Sequence, residues 1–323
     1  MYIAGDMKAH NCKKVVALSG GVGGAKLALG LAHVVNPEDL TVIVNTGDDF
    51  THLGLSISPD VDTLLYTLSG LANPDLGWGR CDETWTFMRA LEQLGGDAWF
   101  KLGDADLALH IERTRKLAAG ETLTQVTSTL ARQLGINTCV LPMSDDRVET
   151  KVRTDQGWLP FQDYFVRQRC EPAVREIAYS GTDNARISRD ALNALLDENL
   201  RAVIICPSNP WLSVGPLLAL PGMREMLKTS TAPVIAVSPL IGGQAVKGPT
   251  AKLMKELQLE VTSAEVARYY DGLIGGFMVD TVDSDASLPN GMQRAVEPIL
   301  MKTLEDKIRV ARAALKFADQ LSR

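Results

Sequence analysis

The glycine-rich segment that follows the first apolar run constrains this chain more than any other feature. Val15–Leu18 is typical of a short buried strand, and it leads into Ser19-Gly-Gly-Val-Gly-Gly-Ala-Lys26 before apolar residues resume at helical spacing. Glycines lack a Cβ atom, so a phosphate can approach the backbone N–H groups at the helix start. The glycines concerned are Gly20, Gly21, Gly23 and Gly24. The pattern predicts a strand, a phosphate-binding loop and a helix, with a nucleotide or phosphoester as ligand.

This loop departs from the two common phosphate-binding motifs. A Walker loop requires Ser or Thr after its lysine, but Leu27 follows Lys26, which argues against a P-loop kinase or ATPase. The dinucleotide fingerprint fits Gly21 and Gly23 and fails at its third glycine, where Lys26 stands. A dehydrogenase is therefore a minor alternative function. The glycine segment can also be a simple tight turn that binds no ligand. Lys26 joins the glycines as a candidate phosphate-binding residue.

Composition restricts the partners of the chain. Its 323 residues, 46% of them hydrophobic, can bury a full core. The 33 Lys and Arg residues against 39 Asp and Glu give a net charge of −6, which argues against binding to nucleic acid. Five cysteines form no Cys-x-x-Cys pair, and no segment approaches the roughly 18 apolar residues of a membrane span. We expect a cytoplasmic protein that binds small molecules, no nucleic acid and no membrane.

Short apolar runs alternate with helical periodicity along most of the chain. The predicted strands are Val15–Leu18, Leu40–Asn45, Arg201–Cys206, Pro233–Ser238 and Phe277–Asp280. This alternation predicts an α/β fold, a Rossmann-like parallel sheet with helices on both faces. Residues 14–73 and 200–323 are predicted to form this nucleotide-binding core after a flexible tail at 1–13. Residues 74–199 read as an inserted, mostly helical cap lobe with some antiparallel strands near 148–179.

Four aspartates lie in two clusters near the end of the second predicted strand. Asp48 and Asp49 follow Asn45, and Asp60 and Asp62 lie in Ser58-Pro-Asp-Val-Asp-Thr63. One acid at this position can bind ribose hydroxyls, and several together can hold Mg²⁺ with substrate phosphates. A local turn or a helix cap explains some of them equally well. We predict Asp62 as a ligand-binding acid and leave Asp60 open between ligand and cap.

Other polar segments supply weaker candidates. Lys101 precedes a glycine turn and is a possible phosphate or substrate anchor, whereas His110 is expected to pair with Asp106 one helical turn earlier. Pro207-Ser-Asn-Pro210 ends a predicted strand, so Ser208 and Asn209 are candidates for base, ribose or phosphate recognition, with a plain loop as the alternative. Asp145 and Asp146 precede Arg147, and we expect weak surface ion pairs there.

Seven motifs, taken in their order along the chain, resemble those of the CofD family, the phospholactyl transferases that build the deazaflavin coenzyme F420. The resemblance runs from Lys14 to Leu315. The matching segments are Ser19–Lys26, Val44–Asp49, Ser58–Thr63, Lys101–Asp104, Leu141–Asp146, Pro207–Pro210 and Ser238–Gly242. Such a transferase moves a phosphorylated three-carbon acid from a guanosine diphosphate adduct to the ribityl 5′-hydroxyl of the deazaflavin Fo, with magnesium present, and releases GMP. The family precedent also implies a homodimer.

By this resemblance, the predicted site has three parts. Asp48, Asp60 and Asp62 are the implied catalytic and Mg²⁺-binding residues, and Asp62 with Lys101 falls where the family contacts Fo. The implied nucleotide-binding residues are Gly20, Gly21, Gly23, Gly24, Lys26, Asn45, Ser208 and Asn209. Mg²⁺ would offset charge on the diphosphate while the ribityl oxygen attacks the phosphorus that bears the acid.

Two questions stay open in the sequence. The donor acid can be lactyl, enolpyruvyl or 3-phosphoglyceryl, since the loop Gly-Val-Gly-Gly-Ala-Lys resembles that of bacterial members rather than archaeal ones. The alternative function is that of a related family of regulatory proteins, which share the glycine loop and bind nucleotide sugars without turning them over.

Overall fold

The computed structural model describes residues 13–74 and 78–322. The strands are β1 Lys14–Ser19, β2 Leu40–Val44, β3 Phe50–His52, β4 Leu55–Ile57, β5 Cys139–Pro142, β6 Glu149–Thr154, β7 Gly157–Pro160, β8 Glu176–Ser180, β9 Leu200–Ile205, β10 Val234–Val237, β11 Leu240–Ile241, β12 Gln244–Ala245, β13 Gly276–Val279 and β14 Gln293–Val296. The α-helices are α1 Gly21–Ala32, α2 Pro59–Ser69, α3 Thr86–Gln93, α4 Asp104–Ala118, α5 Leu123–Gln133, α6 Arg189–Leu195, α7 Gly215–Ala219, α8 Met223–Thr229, α9 Thr250–Glu256, α10 Ser263–Tyr269 and α11 Leu304–Leu321.

The centre of the fold is a seven-stranded sheet in the order β14-β13-β10-β9-β1-β2-β5, and all its neighbouring strands run parallel. All five predicted strands belong to this sheet. Alternate side chains of β1 point to opposite faces: Val15 and Ala17 pack in a core with α1, α2, α5 and α11, and Val16 and Leu18 pack in a second core with α6 to α10. The predicted α/β fold with helices on both faces is therefore confirmed.

Two sheet strands, β5 and β14, were not predicted. β5 lies at one edge, paired with β2, and α5 packs beside it, although both fall within the range 74–199 expected to form a separate lobe. This range thus contributes an edge of the main sheet as well as β6, β7 and β8, which form the expected antiparallel sheet. β5 is only four residues long and ends in proline, so its local pattern is weak. The predicted tail at 1–13 lies outside the described residues except for Lys13.

The topology determines where a ligand can bind. The chain proceeds from β1 outward through β2 to β5 and then returns to β9 on the other side of β1 before continuing outward to β14. The strand order reverses between β1 and β9, and in open parallel sheets the crevice at such a reversal is the usual ligand site. Within the described ranges, no helix combines the length and apolar character needed to cross a membrane.

Candidate functional site

The glycine loop lies at this reversal point, between the loops that follow β2 and β9. A Cβ atom on Gly23 would lie 2.2 Å from the Pro207 carbonyl oxygen, and one on Gly24 would lie 2.6 Å from the Ser208 hydroxyl. Gly21 has a φ of +63°, which favours glycine. The glycines are therefore required by close packing of the loop and by its backbone conformation. No local pattern shows this packing, because Pro207 and Ser208 are far from the glycines in the chain.

The residues after β9 hold the glycine loop in place. The Ser208 hydroxyl donates to the Gly20 carbonyl at 2.7 Å and accepts from the Gly20 N–H at 3.2 Å. The Asn209 side chain accepts from the Trp211 and Leu212 N–H groups, each at 3.0 Å, and donates to Thr250 at 3.0 Å. Ser208 and Asn209, which were predicted to bind ligand, thus lie beside the glycine loop. Ser208 is hydrogen-bonded to this loop, and Asn209 is hydrogen-bonded to the start of α9.

A hydrogen bond between Asn45, which follows β2, and Asp60, in the first turn of α2, joins these two elements. The fully buried Asn45 donates to the Asp60 carboxylate at 2.9 Å and accepts from the Gly47 N–H at 2.8 Å. The Gly21 N–H also donates to Asp60, so this acid connects α2 to the glycine loop. Burial raises the pKa of Asp60 from 3.8 to about 6, although these two hydrogen bonds oppose the rise.

Asp48 and Asp49 are buried acids whose charge is only partly compensated. Burial, and then the neighbouring charges of Asp60 and Asp49, raise the pKa of Asp48 well above its ordinary value. Burial also raises the pKa of Asp49, which accepts a 2.6 Å hydrogen bond from Ser58. In both acids, Oδ1 is buried and has no hydrogen-bond partner among the described residues. Buried carboxylate oxygens without partners indicate a place for a cation or a ligand.

Asp62 differs from these acids because its carboxylate is held in a buried ion pair, although its charge still acts on Asp49. Its carboxylate accepts two hydrogen bonds from Arg113, one of them 3.0 Å long, and the Arg113 side chain is completely buried. His110 Nδ1 lies 3.6 Å from Asp62, and His110 Nε2 lies 3.1 Å from Asp106, the partner expected for this histidine. The structure therefore brings Asp48 and Asp60 together, whereas the Asp62 carboxylate is engaged by Arg113.

Asp48 and Asp49 line an aromatic cleft of about 400 Å³, and we refer to these two acids as its floor. Its walls include Phe50, His52, Trp99 and Phe161, and the ring centroids of His52 and Trp99 are 5.2 Å apart. The Gln162 side chain lines the cleft and donates to the Asp48 carbonyl at 3.3 Å. Arg167 covers one Trp99 face at 4.5 Å from the ring centroid. A cleft with acids at its floor and flat apolar walls suits a planar molecule that bears a reactive polar group.

The two predicted lysines differ in their surroundings. Lys26 is half-buried beside the glycine loop, and its pKa is lowered by burial and by the neighbouring charges of Lys247 and Lys307. Three cations near one loop favour an anionic ligand there. Lys101 forms an ion pair with Glu92, is half exposed and is not among the residues that line the cleft.

The described residues contain no group of three or more His, Cys, Asp or Glu side chains arranged to hold a metal ion. Mg²⁺ commonly needs only one or two protein carboxylates, because substrate phosphates and water supply its other oxygens. Asp48, with its unpartnered oxygen, and the adjacent Asp60 suit that smaller set. Asp62 is committed to Arg113.

Sequence reasoning did not identify Arg113, Trp99 or Gln162. Arg113 follows His110 by three residues, so both lie on one face of α4, and this spacing was the available signal. No local pattern identifies Trp99 or Gln162, since these two residues are far apart in the chain and meet only in the lining of the cleft.

Comparisons with known proteins match nearly the whole chain. A family model described as "2-phospho-L-lactate transferase CofD" matches residues 15–313. A phosphoenolpyruvate transferase of Kitasatospora aureofaciens is 41% identical over 318 residues, covering 95% of this chain and 98% of that protein. A 2-phospho-L-lactate transferase of Methanocaldococcus jannaschii is 38% identical over 311 residues, covering 95% and 99%.

The fold is also found among solved structures. A member of the UPF0052 family from Bacillus halodurans superposes with a TM-score of 0.63 at 18% identity, covering 94% of this chain and 99% of that one. At this identity the likeness supports the architecture alone.

Proposed function

This chain belongs to the CofD family and is a transferase of coenzyme F420 biosynthesis, and we propose that it transfers a phosphorylated three-carbon acid from a guanosine diphosphate adduct to the ribityl 5′-hydroxyl of Fo. One observation carries the proposal at the level of the site. Two buried carboxylates with unpartnered oxygens, Asp48 and Asp49, form the floor of an aromatic cleft beside a glycine loop. The loop suits a diphosphate, and the cleft suits a flat tricyclic acceptor.

The donor and acceptor would meet at the ends of β1 and β2. The guanosine diphosphate part is assigned to the glycine loop, where Lys26 lies near two other lysines and the first turn of α1 presents N–H groups. The deazaflavin ring is assigned to the cleft between Trp99 and Phe161. This arrangement directs the ribityl chain of the acceptor toward the aspartates and the diphosphate.

The residues suited to Mg²⁺ are Asp48 and Asp60. When bound, the ion would offset negative charge on the diphosphate. Asn45 and the Gly21 N–H orient the Asp60 carboxylate, and Gln162 together with the loop after β2 holds Asp48. Asp62 was predicted as a third metal ligand. We now assign it to holding Arg113, because its carboxylate is engaged in that ion pair.

The transfer itself is a displacement at phosphorus. The ribityl oxygen forms a bond to the phosphorus that carries the three-carbon acid, the bond from that phosphorus to the bridging oxygen breaks, and GMP leaves with the bridging oxygen. The ribityl hydroxyl proton must pass to a base. Asp49 is the candidate, because the residue lines the cleft, its Oδ1 has no partner among the described residues, and Ser58 donates to its other carboxylate oxygen.

The predicted acceptor contacts of Asp62 and Lys101 stay predictions. A contact from Lys101 to Fo requires the lysine to leave Glu92, an exposed ion pair of the kind that contributes little stability. A contact from Asp62 requires displacement of a buried arginine and would be far more costly. Of the two, Lys101 is the easier residue to recruit.

A cytoplasmic homodimer also belongs to this proposal. The four cysteines in the described part of the chain are unpaired, which supports a reducing compartment. Light scattering coupled to size-exclusion chromatography would test the dimer.

Product mass is the decisive test of the transfer. The purified protein is incubated with Fo, Mg²⁺ and each guanosine diphosphate adduct in turn, those of lactate, enolpyruvate and 3-phosphoglycerate. We expect one adduct to yield the phosphorylated Fo product and an equal amount of GMP. Asp49→Asn should lose this activity, whereas Asp155→Asn, an exposed change in the β6–β7 turn, should keep it. Failure of every adduct in wild-type protein, together with tight binding of a nucleotide sugar, would support the regulatory alternative instead.

A further inference from the structure

The proposed donors share one group that the acids at the floor of the cleft repel. Lactyl, enolpyruvyl and 3-phosphoglyceryl adducts all carry a carboxylate on the three-carbon acid that is attached to the reacting phosphate. Asp48, Asp49 and Asp60 would disfavour that carboxylate unless a cation faces it. The inference rests on the proposed function: a residue of the chain must supply the positive charge that faces the donor carboxylate.

Two arginines, Arg147 and Arg167, line the cleft. Arg167 is engaged, because its guanidinium lies 3.1 Å from both Asp97 and Asp163 and also covers the Trp99 ring. Arg147 differs: within residues 13–74 and 78–322, no carboxylate lies within ion-pair distance of it. It is therefore the cation of the cleft that is not neutralised by a described carboxylate.

The acids next to Arg147 in sequence are engaged elsewhere. Asp145 accepts a 2.7 Å hydrogen bond from the Thr124 N–H, and Asp146 accepts a 2.9 Å bond from the Arg186 N–H. The expected surface ion pairs from Asp145 and Asp146 to Arg147 are therefore absent from this described segment. Instead, each aspartate anchors the turn to a neighbouring element, so the arginine projects from a fixed base.

Backbone contacts tie this turn to the loop that carries the catalytic acids. The Met143 N–H donates to the Val44 carbonyl at 2.8 Å, and the Thr150 N–H donates to the Gly47 carbonyl at 2.7 Å. These bonds flank Arg147 on both sides and fix it relative to Asp48. A short, doubly anchored turn loses little entropy when its arginine binds a ligand.

We propose that Arg147 binds the carboxylate of the three-carbon acid of the donor. The planar guanidinium offers two parallel N–H donors that match the two carboxylate oxygens. Because the candidate donors share this carboxylate, Arg147 selects for an acid and does not distinguish lactate from enolpyruvate. It is a specificity residue on the donor side, separate from the acids that surround the reacting phosphate.

A cycle of two enzymes and two donors tests the assignment. Wild type and Arg147→Gln are compared on the active guanosine diphosphate adduct and on its carboxamide, in which a neutral amide replaces the carboxylate. In wild type we expect the carboxamide to lower kcat/KM about ten- to hundredfold, the usual factor for a hydrogen bond to a charged group. Arg147→Gln should lose a similar factor on the acid donor and little more on the carboxamide. The KM for Fo should stay unchanged.

Binding measurements keep the test independent of turnover. Calorimetry should show weaker binding of the acid adduct to Arg147→Gln than to wild type, with equal affinity for GDP, which lacks the acid. Arg153→Gln is the matched control, because Arg153 is exposed, pairs with Glu176 and does not line the cleft.

Several results would overturn the assignment. Equal discrimination against the carboxamide in wild type and Arg147→Gln would show that another group reads the carboxylate. A change in the KM for Fo alone would move Arg147 to the acceptor side. A wild-type protein that transfers no adduct would refute the proposed function. In that case, weaker binding of the acid adduct by Arg147→Gln than by wild type would still support recognition of the carboxylate by Arg147.

Discussion

Replacing Asp60 by asparagine should stabilise the protein while removing its activity. Burial holds the pKa of Asp60 at about 6 in the folded protein, above its ordinary value of 3.8. The folded state therefore binds a proton more tightly than the unfolded chain does, and the charged form at neutral pH is a cost to folding. Burial is also the main cause of the raised pKa values of Asp48 and Asp49.

The expected gain follows from this pKa difference. A difference of about 2 corresponds to about 3 kcal/mol, which is an upper bound on what neutralising Asp60 returns. Asparagine keeps the size of the side chain but retains only one carbonyl acceptor for the N–H donors of Asn45 and Gly21, and one weakened hydrogen bond costs about 1 kcal/mol. The net stabilisation is about 2 kcal/mol, or about 3 °C in Tm for a chain of this size.

Thermal unfolding in EDTA measures this effect, because it removes divalent cations from the acids. Wild type should gain stability as pH falls from about 7 toward about 4, since Asp60 takes up its proton first in the folded state. Asp60→Asn should melt higher than wild type near pH 7.5, and the difference should shrink near pH 5. The exposed Asp155→Asn is the control and should leave Tm within about 1 °C.

The reasoning would be refuted by a lower Tm in Asp60→Asn near pH 7.5, or by an unchanged difference between the two pH values. The first result would mean that the hydrogen bonds to the carboxylate outweigh its burial. The second would mean that Asp60 does not titrate in this range. Retained transfer activity would contradict the catalytic assignment of Asp60 independently of either result.

Three further outcomes are expected. Gly23→Ala should lower stability by about 1–3 kcal/mol in urea unfolding, because its Cβ would lie 2.2 Å from the Pro207 carbonyl oxygen, and an unchanged midpoint would contradict that packing. Arg113→Met should cost about 3–5 kcal/mol by leaving Asp62 charged and buried, and adding Asp62→Leu should recover part of the loss; strict additivity would argue against the ion pair. Saturating Mg²⁺, at about a hundred times its Kd, should stabilise wild type by about 3 kcal/mol and Asp48→Asn much less, whereas equal shifts in Tm would place the ion elsewhere.

The main sheet could be predicted well because its signals are local. Each central strand is a short apolar run followed by a polar turn, and the side chains at those turns lie at one edge of any parallel sheet. The placement of Asn45 and Asp60 beside the glycine loop follows from this rule. β5 was missed because a four-residue strand at the sheet edge has too little pattern to distinguish it from a loop.

By itself, the sequence determined the α/β class, the glycine loop and the acids near it, since strand and helix periods are properties of neighbouring residues. Only the tertiary structure decided how those acids divide. Asp62 pairs with Arg113, 51 residues away, while Asp48 and Asp49 line a cleft to which distant segments add Trp99 and Phe161. Such pairings depend on how whole elements pack, because a buried charge takes whichever partner the surrounding helices and loops bring within reach.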